Sequence, residues 1–285
     1  MKSVLGIIGS TRKRGNSELA VKMVSRHIPE PHLLNLIRLS DLNIKPCLGC
    51  YHCISKDGKC VQDDDMEILL DALRNAEGVI LAVPVYFFGP NGMIKMVVDR
   101  SAMMYPRFDE FYGKPCLIVV LLGVKGKDGY TSAALGSAAM TMGLDIVGEA
   151  KFFAAGLGEV LSNDENHKLA RELGRRLFSP KKEITQDGKR CQICGSRSFK
   201  FIEDGVECLV CQNQGEIVSD NGVFYVKVKR ASESEVMELE DRARHLQWLR
   251  GKKEGYAKKR EDIKELSKGF SDYGIWIHGK AKTSN

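Results

Sequence analysis

Five short apolar runs, each followed by a stretch suited to helix, set the limits within which this chain can fold. Strands are predicted at Ser3 to Ile8 (SVLGII), Leu33 to Leu39, Gly78 to Val83 (GVILAV), Pro115 to Leu122 and Ile146 to Ala154. Helices are predicted at about Asn16–Arg26, Asp65–Asn75, Met93–Met103, Thr131–Met142 and Asp164–Phe178. SVLGII and GVILAV are continuously apolar rather than alternating, which suits strands buried on both faces. Strands alternating with helices imply an α/β fold, a doubly wound parallel sheet with right-handed crossovers.

The loop after the first strand reads GSTRKRGNSE and delivers free backbone amides to a helix N-terminus that Asn16 or Ser17 can cap. A phosphate there would be held by those amides, by the hydroxyls of Ser10, Thr11 and Ser17, and by Arg12. The pattern is neither a dinucleotide fingerprint nor a P-loop, and a solvated basic turn is the competing reading. Pro84 is expected to stop the third strand, and Val85 to Gly92 (VYFFGPNG) is expected to be a loop. Tyr86, Phe87 and Phe88 either cover the core under a turn or make a flat apolar wall for a ring system. The two loops meet only in the flavodoxin-like strand order 2-1-3-4-5. Phosphate at the first and an aromatic wall at the third describe a mononucleotide with a planar ring, FMN more naturally than NAD or ATP.

Cys47, Cys50, Cys53 and Cys60 form C-x2-C-x2-C-x6-C, four thiols within fourteen residues. Three ligands on one irregular loop and a fourth on a longer arm with Gly58 can close around a 4Fe-4S cubane. Zinc and free thiols are the alternatives, although zinc sites usually divide their cysteines between two knuckles. Cys191, Cys194, Cys208 and Cys211 do divide that way, as C-x2-C-x13-C-x2-C, the spacing of a zinc ribbon. Rubredoxin-like iron uses the same ligands. SFKFIE, EIVSD and VFYVKVKR read as short antiparallel strands, with a hairpin turn at Asn221-Gly222. So small a module needs a structural metal to fold. The ninth cysteine, Cys116 in PCLIVVLL, reads as a packed core thiol.

With 285 residues, 43% of them hydrophobic, there is material for one full core and a smaller module. The expected division is 1–180 as the flavodoxin-like domain with its iron-sulfur loop at 46–64, 181–230 as the zinc ribbon, and 231–285 as a helical tail. In the tail, Ser232-x-x-Glu235 is a capping box, and Val236, Leu239, Ala243, Leu246 and Leu249 share a helix face that Gly251 should interrupt. Ile275, Trp276 and Ile277 read as a docking segment. A net charge of +6 is too mild to argue for nucleic acid, and Glu and Asp intersperse with the basic residues of RGKKEGYAKKR and its surroundings. The apolar run Val4 to Ile8 is too short for a signal peptide or a membrane span, so the expected location is the cytoplasm.

GSTRKRGNS, the four-cysteine loop running into DDM, and PVYFFGPNGMIKMVVDR together resemble the iron-sulfur flavoproteins within the NADPH-dependent FMN reductase group, over about Met1 to Phe178. That resemblance implies an oxidoreductase in which Ser10, Arg12, Asn16 and Ser17 hold the phosphate and ribityl end of FMN. Pro84, Val85, Tyr86, Phe87, Phe88 and Gly89 would line the isoalloxazine. It also implies a ferredoxin-like electron carrier as partner and a homodimer or homotetramer. The expected function is relay of electrons between that carrier, the 4Fe-4S cluster and FMN, with no catalytic acid or base assigned. One alternative is an NAD(P)H-dependent FMN or quinone reductase with structural cysteines. Another, from a different class, is a zinc-ribbon scaffold or nucleic-acid-associated protein with a flavin sensor domain.

Overall fold

The computed structural model describes residues 1–179, 188–231 and 238–270. Its first part runs β1 (Lys2–Ile8), α1 (Asn16–Ser25), β2 (His32–Arg38), a single turn α2 (His52–Ser55), α3 (Met66–Asn75) and β3 (Gly78–Tyr86). There follow a two-residue arm β4 (Gly89–Pro90), α4 (Gly92–Arg100), β5 (Pro115–Leu122), α5 (Thr131–Thr141), β6 (Asp145–Phe153) and α6 (Asp164–Gly174). The sheet order is β2-β1-β3-β5-β6, all parallel, with β4 folded back antiparallel on β3. Setting that arm aside, this is the flavodoxin-like order 2-1-3-4-5.

Alternation along each strand divides the core into two layers. Leu5, Ile7, Val79, Leu81, Val83, Ile118 and Val120 face one way and pack with α3, α4 and α5. Val4, Ile8, Ile80, Ala82, Leu117 and Val119 face the other way and pack with α1 and α6. A Cβ on Gly6 would stand 2.5 Å from Val21, so α1 lies this close to β1 only because residue 6 lacks a side chain. Cys116 is wholly buried in the first layer, and burial pushes its thiol up to about 12, as a packed core thiol requires.

The C-terminal region forms an antiparallel four-stranded sheet, order β10-β9-β8-β7, from β7 (Phe199–Ile202), β8 (Gly205–Cys208), β9 (Gln214–Asp220) and β10 (Val223–Val228). Asn221 and Gly222, at φ 50° and 77°, make the expected two-residue turn between Asp220 and Val223. Strand β8, four residues long and ending in a cysteine, was not expected. This sheet belongs with the doubly wound sheet in one compact unit, residues 1–246, and the chain from Gln247 onward makes a second. Val210 and Val228 share a small core with Met140 of α5, and a Cβ on Gly136 would stand 3.1 Å from Val210.

Helices α7 (Leu239–Lys258) and α8 (Arg260–Lys268) complete the described chain. The expected apolar face of α7 is not the buried one, since Leu239 and Ala243 are exposed and Asp241 and Arg242 are buried. Arg242 donates to the Thr141 carbonyl at 2.8 Å and to that of Met140, satisfying the last turn of α5, and its cation lies 3.8 Å from the centre of the Phe108 ring. Gly251 does not interrupt α7. The Ser232–Glu235 capping box, Val236, and Ile275, Trp276 and Ile277 lie outside the described residues. No helix among the described residues is long and apolar enough to cross a membrane.

Candidate active site and metal centres

Loops from the carboxyl ends of β1, β3, β5 and β6 are tied together at the switch point of the sheet. The Asn91 side-chain amide donates to the Gly9 carbonyl, Tyr130 N donates to Phe88 O at 2.9 Å, and Asn16 Nδ2 donates to Gly156 O at 2.8 Å. Ser10, Thr11, Arg12, Asn16 and Ser17 lie on the loop and first helical turn after β1, one rim of that switch point; Ser10 and Ser17 are buried, Thr11 and Arg12 exposed, and Ser10 Oγ accepts from Arg12 N at 3.3 Å. Gly15, not Asn16 or Ser17, is the N-cap of α1, and no side chain caps the helix. Asn16 is instead engaged with Gly156 and, through Oδ1, with Val160 N at 3.4 Å. The uncapped amides of the first turn are left for an anion. Glu18 lies buried in that turn, but accepts from Lys22 and Arg38, both at 2.6 Å, and from Arg14 N at 2.9 Å. Lys22 foremost, with Arg14 N and Arg38, outweighs the cost of burial and holds the Glu18 carboxyl down at about 2.

On the opposite rim, β3 continues through Pro84 to Tyr86, because Val85 pairs with Pro90 and Tyr86 with Gly89 in the short arm. Pro84 thus does not end the strand. Phe87 and Phe88 form the two-residue turn, at φ 47° and 67°, in a conformation that favours Asn and Gly. Holding two phenylalanines there costs on the order of 1–2 kcal/mol each. Phe87 is 100% exposed, and Tyr86 and Phe88 are exposed too. Pro84 and Val85 are half-buried, and Gly89 is buried against the Tyr130 ring, which leaves no room for a Cβ.

The sequence reading missed Asn91 and Thr131. Both are buried, and Asn91 Oδ1 and Thr131 Oγ1 have no hydrogen-bond partner. The only signals were an asparagine just before a helix and a glycine-rich GVKGKDGY loop leading into the next.

The loop of Cys47, Cys50, Cys53 and Cys60 is irregular, with left-handed backbone at Gly49, Tyr51, Asp57 and Gly58. Cys47 and Cys50 are exposed, and Cys53 and Cys60 are half-buried. Gly49 N donates to Cys47 Sγ and Gln62 N to Cys60 Sγ, each at 3.4 Å. These four thiols are not drawn into a group that would fit one ion. Among the described residues only Cys191, Cys194, Cys208 and Cys211 are, with all four sulfurs within 4.8 Å of one another. Each of those pairs is turned by a knuckle, Gly195 N donating to Cys191 O and Gln212 N to Cys208 O, both at 2.9 Å.

Residues 2–156 match the family model of the NADPH-dependent FMN reductases. The chain belongs to that family. Within it, the chain is similar to an iron-sulfur flavoprotein of Archaeoglobus fulgidus, 32% identical over 178 residues, which span 62% of this chain and 79% of that protein. An iron-sulfur flavoprotein of Methanocaldococcus jannaschii is 40% identical over 99 residues, 34% of this chain and 51% of its own length. The match thus spans about half of that relative. Among solved structures, a flavone reductase shares the fold at a TM-score of 0.71 and 19% identity, covering 98% of this chain and 100% of its own.

Within the FMN reductase family, the chain belongs with the iron-sulfur flavoproteins. The site fits a flavin mononucleotide on two counts: helix-end amides left uncapped on one rim, and on the other an exposed aromatic turn close in sequence to Asn91, whose Oδ1 has no partner, nor has Thr131 Oγ1. The loop cysteines fit a cluster in donor type and in their N-H to sulfur bonds. A cubane places its ligands on separate irons and does not need the tight sulfur group that one ion needs.

Proposed function

We propose that this protein binds FMN between Gly9–Ser17 and Pro84–Gly92 and exchanges its electrons with a 4Fe-4S cluster on Cys47, Cys50, Cys53 and Cys60. A ferredoxin-like carrier would supply or receive them one at a time. The observation that carries this reading is the meeting of an uncapped anion loop with an exposed aromatic turn at the switch point of the sheet. Arg12 and the Ser10, Thr11 and Ser17 hydroxyls would face the phosphate, with Asn16 holding the rim to Gly156. Tyr86, Phe87 and Phe88 would shield the ring, and the flavin itself supplies the one- and two-electron chemistry. Homodimers or homotetramers in the cytoplasm, whose reducing conditions keep thiols free for metals, suit this reading.

The ribbon cysteines would hold a single ion, because four sulfurs so closely grouped leave no room for a cubane; structural zinc accounts for them best. The family's own description favours a second reading, in which NADPH reduces the flavin directly and the loop cysteines are structural.

An anaerobic spectrum with FMN, iron, sulfide and zinc counted per chain tests the cofactors. Stopped-flow reduction then separates the readings. Reduced ferredoxin should reduce the flavin quickly and NADPH slowly, and Cys53→Ser should slow the first while FMN stays bound. Fast NADPH reduction that survives Cys53→Ser would overturn the relay. Full FMN retention in an Arg12→Ala/Ser17→Ala variant would overturn the phosphate site.

A further inference from the structure

Beneath the cysteine loop lies an ion pair that belongs to neither flavin rim. Arg100, the last residue of α4, is 2% exposed, and its side chain and that of Asp64 are each 1% exposed. Both Nη atoms of Arg100 donate to the Asp64 carboxylate, Nη1 also to the Lys45 carbonyl at 3.0 Å, and Nη2 meets Met103 Sδ at 3.5 Å. Asp64 also accepts from Lys45 N at 2.9 Å and Met66 N at 3.2 Å. Lys45 stands two residues before Cys47 and Asp64 four after Cys60, so one guanidinium closes the two stems of the loop into a ring.

Stability alone is a poor reason for such a pair, since apolar residues of equal volume are often neutral or better. Burial works against the Arg100 charge, but the Asp64 hydrogen bonds and the nearby charges of Cys60 and Cys47 outweigh it and hold the guanidinium above its ordinary pKa. The same helix α4 has Asn91 as its N-cap, and the Asn91 side chain donates to the Gly9 carbonyl.

We propose that Arg100 is a positioning residue for the metal group of the cysteine loop: its fork, held between Asp64 and the Lys45 carbonyl, fixes the two stems that carry Cys47 and Cys60. This rests on the reading that Cys47, Cys50, Cys53 and Cys60 hold an iron-sulfur cluster. One-electron reduction by an external reductant such as dithionite adds one negative charge to the loop and makes or breaks no bond. The Arg100–Asp64 pair carries no net charge, so it acts on that step through the position of the loop stems.

The test uses the full-length holoprotein and two variants, Arg100→Lys, which keeps the charge without the fork, and Arg100→Gln/Asp64→Asn, which keeps polar side chains without either charge. The EPR signal of the dithionite-reduced cluster is recorded for each protein, and cluster loss is followed by the rate of iron release to a chelator. In the double variant the EPR line shape should change and iron should leave about tenfold faster than from wild type. Arg100→Lys, with the charge but without the fork, should show the same faster release. A wild-type EPR line shape in the double variant, or wild-type iron release from Arg100→Lys, overturns the proposal, and the second result stands even if the double variant does not fold. Wild type that takes up no iron and sulfide would instead refute the cluster reading on which the proposal rests.

Discussion

Glu18 sits where an anion-binding loop would least tolerate a carboxylate, and its neighbours explain why it stays. Lys22 and Arg38 neutralise it while it holds Arg14 in a left-handed turn, so the carboxylate shapes the loop and leaves its helix-end amides positive. Because its folded pKa lies near 2 against 4.5 for the free group, its contribution is complete above about pH 4.5 and is lost as pH falls through about 2. Glu18→Gln should therefore destabilise the protein by about 1–3 kcal/mol at neutral pH. In urea denaturation as a function of pH, the gap between the two proteins should close toward pH 2. Cys116 offers a contrast at the same scale. A thiol with no exposure and a pKa near 12 should react with thiol reagents only at the rate of unfolding, whereas Cys47 and Cys50 in the metal-free protein should react at once.

At the scale of elements, the turn at Phe87 and Phe88 makes a sharp prediction. Replacing the pair by Asn-Gly should relieve backbone strain and raise the thermal stability of the flavin-free protein by about 1–3 kcal/mol. The same change should weaken FMN binding at least tenfold, measured by fluorescence titration; unchanged affinity would remove the turn from the flavin site. This turn was hidden in the sequence because its usual signal is Asn-Gly, and a proline before it argued for an end to the strand. The sheet was legible for the opposite reason: strands buried on both faces leave continuous apolar runs such as Val79 to Val83, and their order follows once two loops must meet. Strand β8 was too short to stand out, and the buried face of α7 was missed because its anchor is Arg242, a charge satisfied by helix-end carbonyls and an aromatic ring. Among the cysteines, spacing singled out both sets, and the structure draws Cys191, Cys194, Cys208 and Cys211 into one group. Spacing did not reveal Arg100, since nothing local to residue 100 points to a loop some forty residues earlier.

For the whole molecule, the junction between ribbon and sheet carries the most weight. Val210, between two ribbon cysteines, presses on Gly136 of α5, and Arg242 holds the last turn of the same helix. Gly136→Leu should force the two apart and lower the melting temperature without removing any metal ligand, while the ribbon metal remains countable by a colorimetric chelator. The cost should resemble overpacking elsewhere in a core, about 1–3 kcal/mol. Helix α5 has eleven residues, about 16 Å of rigid rod. Its first residue follows Tyr130, which bonds to Phe88 of the proposed flavin site, and Met140 near its end packs with Val210 and Val228 of the C-terminal sheet. If Cys191, Cys194, Cys208 and Cys211 hold a metal, a purification that strips it with a strong chelator would therefore yield pale protein, and a colourless batch should first be assayed for its missing metal.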